Sequence, residues 1–293
     1  MARIGRGRLL FDGGMGSMLI AGGLEPGACP EAWNRDRPKD VRDIHAAYLD
    51  AGAEVITTNT FGATPSRLEG YGLGQEVGAI NNTAAVLAWE AIAASGARNG
   101  RYVALSVGPT GKMLPPVGSA TESELEKDFN GQLQTIRQPV DVVLGETFYD
   151  IREALAALRA ARRFVDAPVG IGLTFNKTPR GFFTVMGDTV SDAVGRLESA
   201  GADFVAANCS IASPEMVELA KELRDCTALP VLCQPNAGEP LVRDGKPVYA
   251  QRPESFAEDV RRIFEAGIEA VGGCCGTSPE FIRRARTAID GEN

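Results

Sequence analysis

The chain has 293 residues, 44% hydrophobic and 23% charged, with a formal net charge of -8. This is the balance of a soluble globular protein with ample core material, and it excludes a disordered or fibrous chain. The net negative charge and scattered Lys and Arg disfavour nucleic-acid or anionic-membrane partners, and no apolar run approaches the roughly 18 residues of a membrane span.

The N-terminus holds the one basic cluster, Arg3, Arg6 and Arg8, which reads as a solvated leader to an apolar segment. From there short apolar runs alternate with longer amphipathic segments, the pattern of repeated βα units on a parallel sheet. Strands are predicted over residues 8–14, 54–62, 102–108, 141–148, 168–175, 203–209, 230–235 and 270–275, and their near-continuous apolar character fits strands covered on both faces. Helices are predicted over 41–50, 78–94, 122–136, 151–164, 189–200, 214–223, 253–265 and 279–289, from apolar residues at three- and four-residue spacing. Gly52, Gly201 and Gly267 each fall between a helix and a strand, where a left-handed C-terminal cap is expected, and Ser213-Pro214 and Ser278-Pro279 read as helix starts.

Eight such units form either a closed barrel or an open doubly wound sheet. The polar residues favour the barrel, because nearly every strand ends in a polar or glycine-rich motif and a barrel assembles its site from many strand ends. A single (β/α)8 TIM barrel spanning 1–293 is therefore expected, with no dinucleotide fingerprint after the first strand. Absence of a signal segment points to the cytoplasm, where six irregularly spaced cysteines do not suit a disulfide framework.

Cys209 closes the sixth predicted strand and Cys274 and Cys275 close the eighth, which places three thiols on one rim. Three soft ligands with one open position suit catalytic zinc. The rival reading is a redox-active vicinal disulfide, which makes no use of Cys209. Cys226 and Cys233 read as packing residues, the role of Cys29 is open, and the single histidine, His45, is expected to be structural or on the surface. With no histidine for a general base, triad chemistry is disfavoured. Zinc on three thiolates is a weak activator of water but is able to keep a substrate thiol deprotonated, which makes that thiol a nucleophile.

The ordered motifs are Asp12-Gly13-Gly14-Met15-Gly16, Thr57-Thr58-Asn59-Thr60-Phe61-Gly62-Ala63-Thr64, Gly108-Pro109-Thr110-Gly111, Glu146-Thr147-Phe148, Asn208-Cys209-Ser210, Pro235-Asn236-Ala237-Gly238 and Gly272-Gly273-Cys274-Cys275-Gly276-Thr277. Together they resemble the homocysteine S-methyltransferase family, most closely the homocysteine-binding module of its cobalamin-dependent methionine synthase branch. The resemblance implies zinc on Cys209, Cys274 and Cys275, and homocysteine at the barrel mouth. It further implies that Asp12 and Glu146 meet the substrate ammonium, that the backbone at Gly13 and Gly14 takes its carboxylate, and that Thr58 and Asn59 line the pocket. Asp12 and Asn59 equally suit loop-fixing hydrogen bonds. Asn236, on the strand between the cysteine-bearing strands, is expected to offer its side-chain oxygen to the fourth zinc position.

Folate, cobalamin and activation domains do not follow the barrel in this sequence, so the methyl donor implied is a methylcobamide on a separate corrinoid protein. Alternatives are S-methylmethionine or betaine as donor, coenzyme M or another thiol as acceptor, and a non-catalytic zinc- or thiol-binding subunit. Residues 175–183, after the fifth strand, read as a docking or lid loop or as a packed loop.

Overall fold

In the computed structural model, which describes residues 7–96, 99–243 and 246–291, eight parallel strands wind into a barrel inside a ring of helices. Arg3 and Arg6 lie outside the described residues, while the Arg8 guanidinium stands 5.7 Å from the centre of the Phe264 ring. The barrel strands are β1 (Leu9–Leu10), β2 (Val55–Thr57), β3 (Tyr102–Val107), β4 (Val142–Phe148), β5 (Val169–Leu173), β6 (Phe204–Ala212), β7 (Val231–Asn236) and β8 (Ala270–Val271). Each pairs in parallel with its sequence neighbour, β8 pairs with β1, and a bridge from Phe11 to Val55 joins β1 to β2 and closes the ring. The (β/α)8 expectation is therefore met.

Two periodicities in the sequence explain the two layers. Alternate strand residues point inward, and Leu9, Phe11, Val55, Ala104, Val142, Leu144, Phe204, Ala206, Leu232 and Ala270 form a separate apolar plug. One inward step further along the strands the side chains turn polar: Thr57, Ser106, Glu146, Asn208 and Gln234. The plug thus becomes the floor of a polar mouth at the C-terminal ends of the strands. Outward strand residues meet the apolar stripes of the helices in the main core, where for example Phe256 packs edge-on against Phe281 at 5.4 Å.

The three glycines expected as helix caps have φ of +99° (Gly52), +86° (Gly201) and +88° (Gly267), a region that side chains with a Cβ avoid. Ser278 precedes its helix as expected, but Ser213 is already the first residue of Ser213–Cys226 and spends its hydroxyl on Asp259 at 2.7 Å. β1, β2 and β8 stop well short of their predicted ends because the residues beyond them leave the ladder to build the site, whereas β6 runs past its predicted end to Ala212. Residues 175–183 contain a hairpin, Asn176–Thr178 against Gly181–Phe183, with Phe175 and Phe182 buried, so this segment is packed onto the barrel.

His45 lies wholly inside, on helix Pro38–Asp50, and neither ring nitrogen has a hydrogen-bond partner among the described residues. Burial lowers its pKa from the ordinary 6.5 to about 4. The neutral ring is therefore the folded form, and the unfolded chain binds the extra proton between these values. Stability from this residue is complete above pH 6.5 and falls by about 3 kcal/mol as pH drops to 4. We expect denaturant titrations to show that loss in the native chain and a flatter profile in His45→Leu; parallel profiles would contradict the assignment.

Candidate functional site

The thiols are brought together by backbone that departs from regular structure. On β6 the ladder with β7 runs in register to Asn208, shifts, and resumes at Ala212. In the gap Cys209 and Ser210 have φ of +61° and +62°, a left-handed conformation that costs roughly 1–2 kcal/mol for each such residue. This excursion lifts the Cys209 sulfur out of the strand and toward the end of β8. There Cys274 N–H donates to Pro235 O at 2.9 Å and Cys275 N–H to Asn236 Oδ1 at 3.2 Å, which locks the vicinal pair to β7.

All six cysteines are free thiols, and the sulfurs of Cys209, Cys274 and Cys275 lie within 4.8 Å of one another. The Cys209 to Cys275 separation is 3.9 Å. Sulfurs on a tetrahedral zinc at ~2.3 Å would be ~3.8 Å apart, so the trio has the spacing of a metal centre and is far from disulfide contact. The thiols also compete for one negative charge. Hydrogen bonds from Cys274 and Cys275 hold the Cys209 thiol well below its ordinary range, and that charge pushes the other two upward. Three thiolates together require a cation between them.

Two carboxyls share the same mouth. Asp12, just past β1, accepts from Thr57 N–H at 2.7 Å and from the Thr57 hydroxyl at 2.8 Å. Burial outweighs these bonds and raises its pKa to about 8. Glu146, inward on β4, accepts from the Ser106 hydroxyl, and burial raises it to about 7, with the charge of Cys209 adding to the effect. Asn208 fixes the space between thiols and carboxyl: it exchanges bonds with Thr147 at 2.7 and 2.8 Å, and its Nδ2 stands 3.5 Å from Glu146 and 3.9 Å from the Cys274 sulfur. Thr147 pays for this with φ of +64°.

These groups line a cavity of about 300 Å³, the lower end of the range for small-molecule sites. Among the described residues no Lys, Arg or His lines it, whereas three thiols and the carboxyls of Asp12, Glu31 and Glu146 all face it. A buried site of one sign is costly unless cations enter.

The remaining residues singled out in the sequence take differing places. Gly13 and Gly14 line the cavity, and a Cβ on Gly14 would come within 2.6 Å of Cys274 O, so glycine permits the close approach of the two rims. The Gly14 N–H itself is taken by Thr277 O at 3.0 Å. Thr58 is in the wall, with its hydroxyl held by Thr60 at 2.7 Å and by Ser106 N–H at 3.1 Å. Asn59 also reaches the wall, but its amide fixes a loop through Pro30 O at 2.8 Å and Asn34 at 3.1 Å. Asn236 stands behind the thiols, where its oxygen accepts from Cys275 N–H at 3.2 Å.

Several lining or supporting groups were given no role by the sequence reading, among them Asn208, Ser106, Glu31 and Tyr249. Asn208 and Ser106 carry the inward period-2 signal and were recoverable from it. Glu31, buried against Gly62 N–H at 2.6 Å and the Cys29 thiol at 3.3 Å, and Tyr249, from a hairpin beyond β7, carried no such signal.

Comparison with known proteins agrees with this geometry. The chain is 32% identical to methionine synthase of Mycobacterium leprae and 31% identical to that of Mycobacterium tuberculosis, in each case over 96% of this chain and 24% of the relative. It thus spans about a quarter of the length of these curated relatives. The fold matches the metallated form of the homocysteine methyltransferase MmuM from Escherichia coli with a TM-score of 0.80, at 22% identity and 96% coverage of both chains. The homocysteine S-methyltransferase family model matches residues 9–289, and the chain belongs to that family.

Proposed function

We propose that this chain transfers a methyl group to the thiol of homocysteine, giving methionine, with zinc held by Cys209, Cys274 and Cys275 and with a methylcobamide on a separate corrinoid protein as donor. The observation that carries the reading is the pairing of a three-thiol cluster with two buried carboxyls in a cavity that no cationic side chain lines among the described residues. A dication answers the thiols, and a substrate ammonium answers the carboxyls. Zinc at the three sulfurs would supply the charge that keeps a fourth, substrate thiol deprotonated near neutral pH.

The protein's own groups then bind and aim the acceptor. Asp12 and Glu146, pushed toward the neutral acid by burial, return to carboxylates when an ammonium enters between them. The backbone that follows Gly14, where helix Met15–Ala21 begins with no acidic residue in its first turn, receives the carboxylate. Thr58 and Asn59, immobilised by their own hydrogen bonds, give the pocket a fixed wall. Held at both ends of its amino-acid head, homocysteine directs its sulfur to the thiol cluster. Transfer is a displacement at the methyl carbon, in which sulfur forms the new bond as the bond to the donor breaks and takes its electron pair away.

Support for a corrinoid donor comes from the motifs at 58–64 and 108–111 and from the cavity itself. Only two aromatic side chains, Phe61 and Tyr249, are among its lining residues, a poor box for a small onium donor. The free thiols suit a reducing compartment, and we place the chain in the cytoplasm; among the described residues no helix is long and apolar enough to cross a membrane.

With zinc, homocysteine and methylcob(III)alamin under anaerobic conditions, the chain should form methionine as the corrinoid spectrum changes, and Cys209→Ala should reduce the rate roughly a thousandfold. Full turnover in Cys209→Ala would remove the metal from the scheme. Consumption of S-methylmethionine or betaine, with methylcobalamin inert, would replace the donor.

The ammonium contact is tested separately. Asp12→Asn and Glu146→Gln should each raise KM for homocysteine roughly 10- to 100-fold, the worth of a hydrogen bond to a charged group. Neither change should affect 4-mercaptobutanoate, the same thiol acid without the amine. Equal effects on both thiols would point to an acceptor that lacks an ammonium, coenzyme M among them.

A further inference from the structure

Of the five inward polar side chains on the cavity floor, four bond within the layer or to its neighbours. Thr57 bonds Asp12 at 2.8 Å, Ser106 bonds Glu146, and Asn208 bonds Thr147 at 2.7 Å. Gln234, the member on β7, lines the cavity and is only 4% exposed, yet its Oε1 has no hydrogen-bond partner among the described residues. A buried amide oxygen left unpaired is costly, and buried polar groups nearly always find a partner. Gln234 also stands between the two carboxyls. On one side it is in register with Asn208, whose Nδ2 is 3.5 Å from Glu146. On the other side is Gly272, where a Cβ would come 2.9 Å from Asp12 O and 3.4 Å from Gln234 Cγ, so the glycine lets the Gln234 side chain and the Asp12 backbone share that space.

We infer that Gln234 is a specificity-determining residue for the acceptor, its side-chain oxygen taking the third N–H of the substrate ammonium beside Asp12 and Glu146. This rests on the reading of the two carboxyls as the ammonium site. An ammonium group carries three N–H donors, and inside a cavity each needs an acceptor. Asp12 and Glu146 answer two of them. Glu31, the other carboxyl in the wall, already has both oxygens engaged, one by Gly62 N–H at 2.6 Å and one by the Cys29 thiol at 3.3 Å. The Gln234 oxygen is the buried acceptor left over, and it is neutral. That matters because two carboxyls already outweigh one ammonium, so a third acceptor without charge completes the hydrogen bonding and adds no repulsion to an acidic cavity.

Three thiols separate the ends of the substrate: homocysteine, 3-aminopropanethiol, which lacks its carboxylate, and 4-mercaptobutanoate, which lacks its amine. Calorimetric titration of each into the zinc-loaded chain, with no methyl donor present, reads binding alone. Gln234→Leu should bind homocysteine and 3-aminopropanethiol roughly tenfold more weakly and 4-mercaptobutanoate as the native chain does. Without ligand it should melt no lower than the native chain, since the change removes an unpaired buried amide. A loss shared by homocysteine and 4-mercaptobutanoate but not by 3-aminopropanethiol would put the amide on the carboxylate and overturn the inference. So would no loss at all, or a lowered melting temperature with all three thiols weakened alike, which assigns Gln234 to structure. Asp12→Asn, titrated in parallel, keeps the two readings apart. If it separates the amine-bearing thiols from 4-mercaptobutanoate and Gln234→Leu does not, only the role of Gln234 falls; if neither variant separates them, the ammonium site itself falls.

Discussion

Repulsion among acidic groups governs this molecule's mouth. Three thiols and the carboxyls of Asp12 and Glu146 face one cavity, and among the described residues no cationic side chain lines it. The site is tolerable without ligands because protons stay on: burial raises both carboxyls, and the thiols share a single charge that settles on Cys209. On the proposed reading, a dication at the cluster and an ammonium at the carboxyl pair would exchange those protons for fixed positive charges, and a ligand would have to supply the ammonium to use the whole cavity.

The barrel makes such crowding possible. Its apolar plug, with Phe11 and Phe204 among its largest members, supports a layer of polar side chains that no solvent reaches from below. Each wall of the site is braced by hydrogen bonds that leave the reactive atoms fixed: Ser106 on Glu146, Thr57 on Asp12, Asn236 on Cys275. Left-handed backbone at Thr147, Cys209 and Ser210 concentrates the conformational strain at the same rim. Such strain persists only where surrounding structure overdetermines it, and here the regular β4 and β6 ladders on the N-terminal side of these residues do so.

The added hairpin after β7 fits the same logic. Elements inserted at the C-terminal rim of a barrel are free to vary without disturbing the ring, and this one contributes Tyr249 to the cavity wall. Glu31 arrives similarly, from the loop between helix Met15–Ala21 and helix Pro38–Asp50, and brings a third carboxyl to the cavity. Its bonds to Gly62 N–H and Cys29 tie that loop to the segment after β2, so the rim is fastened from two sides.

What the sequence determined by itself was whatever local chemistry enforces. Apolar runs at strand and helix spacing produced the eight βα units, and Gly52, Gly201 and Gly267 marked helix ends because few other residues accept φ near +90°. Polar strand ends and three cysteines on two strands located the site, since a barrel brings all strand ends to one rim. Tertiary structure alone decided where each polar atom points. The Asn236 oxygen braces Cys275 N–H, and Ser213, expected as a cap, lies inside its helix bonded to Asp259. Tyr249 ends a short hairpin strand and Glu31 lies on a single 3-10 turn, elements too short to carry a periodic signal, and the left-handed turns at Thr147, Cys209 and Ser210 occur at residues whose types do not favour them. Periodicity records which face of an element is buried, but the hydrogen-bond partner of a buried polar group is set by chain segments tens to hundreds of residues away, such as Thr277 against Gly14.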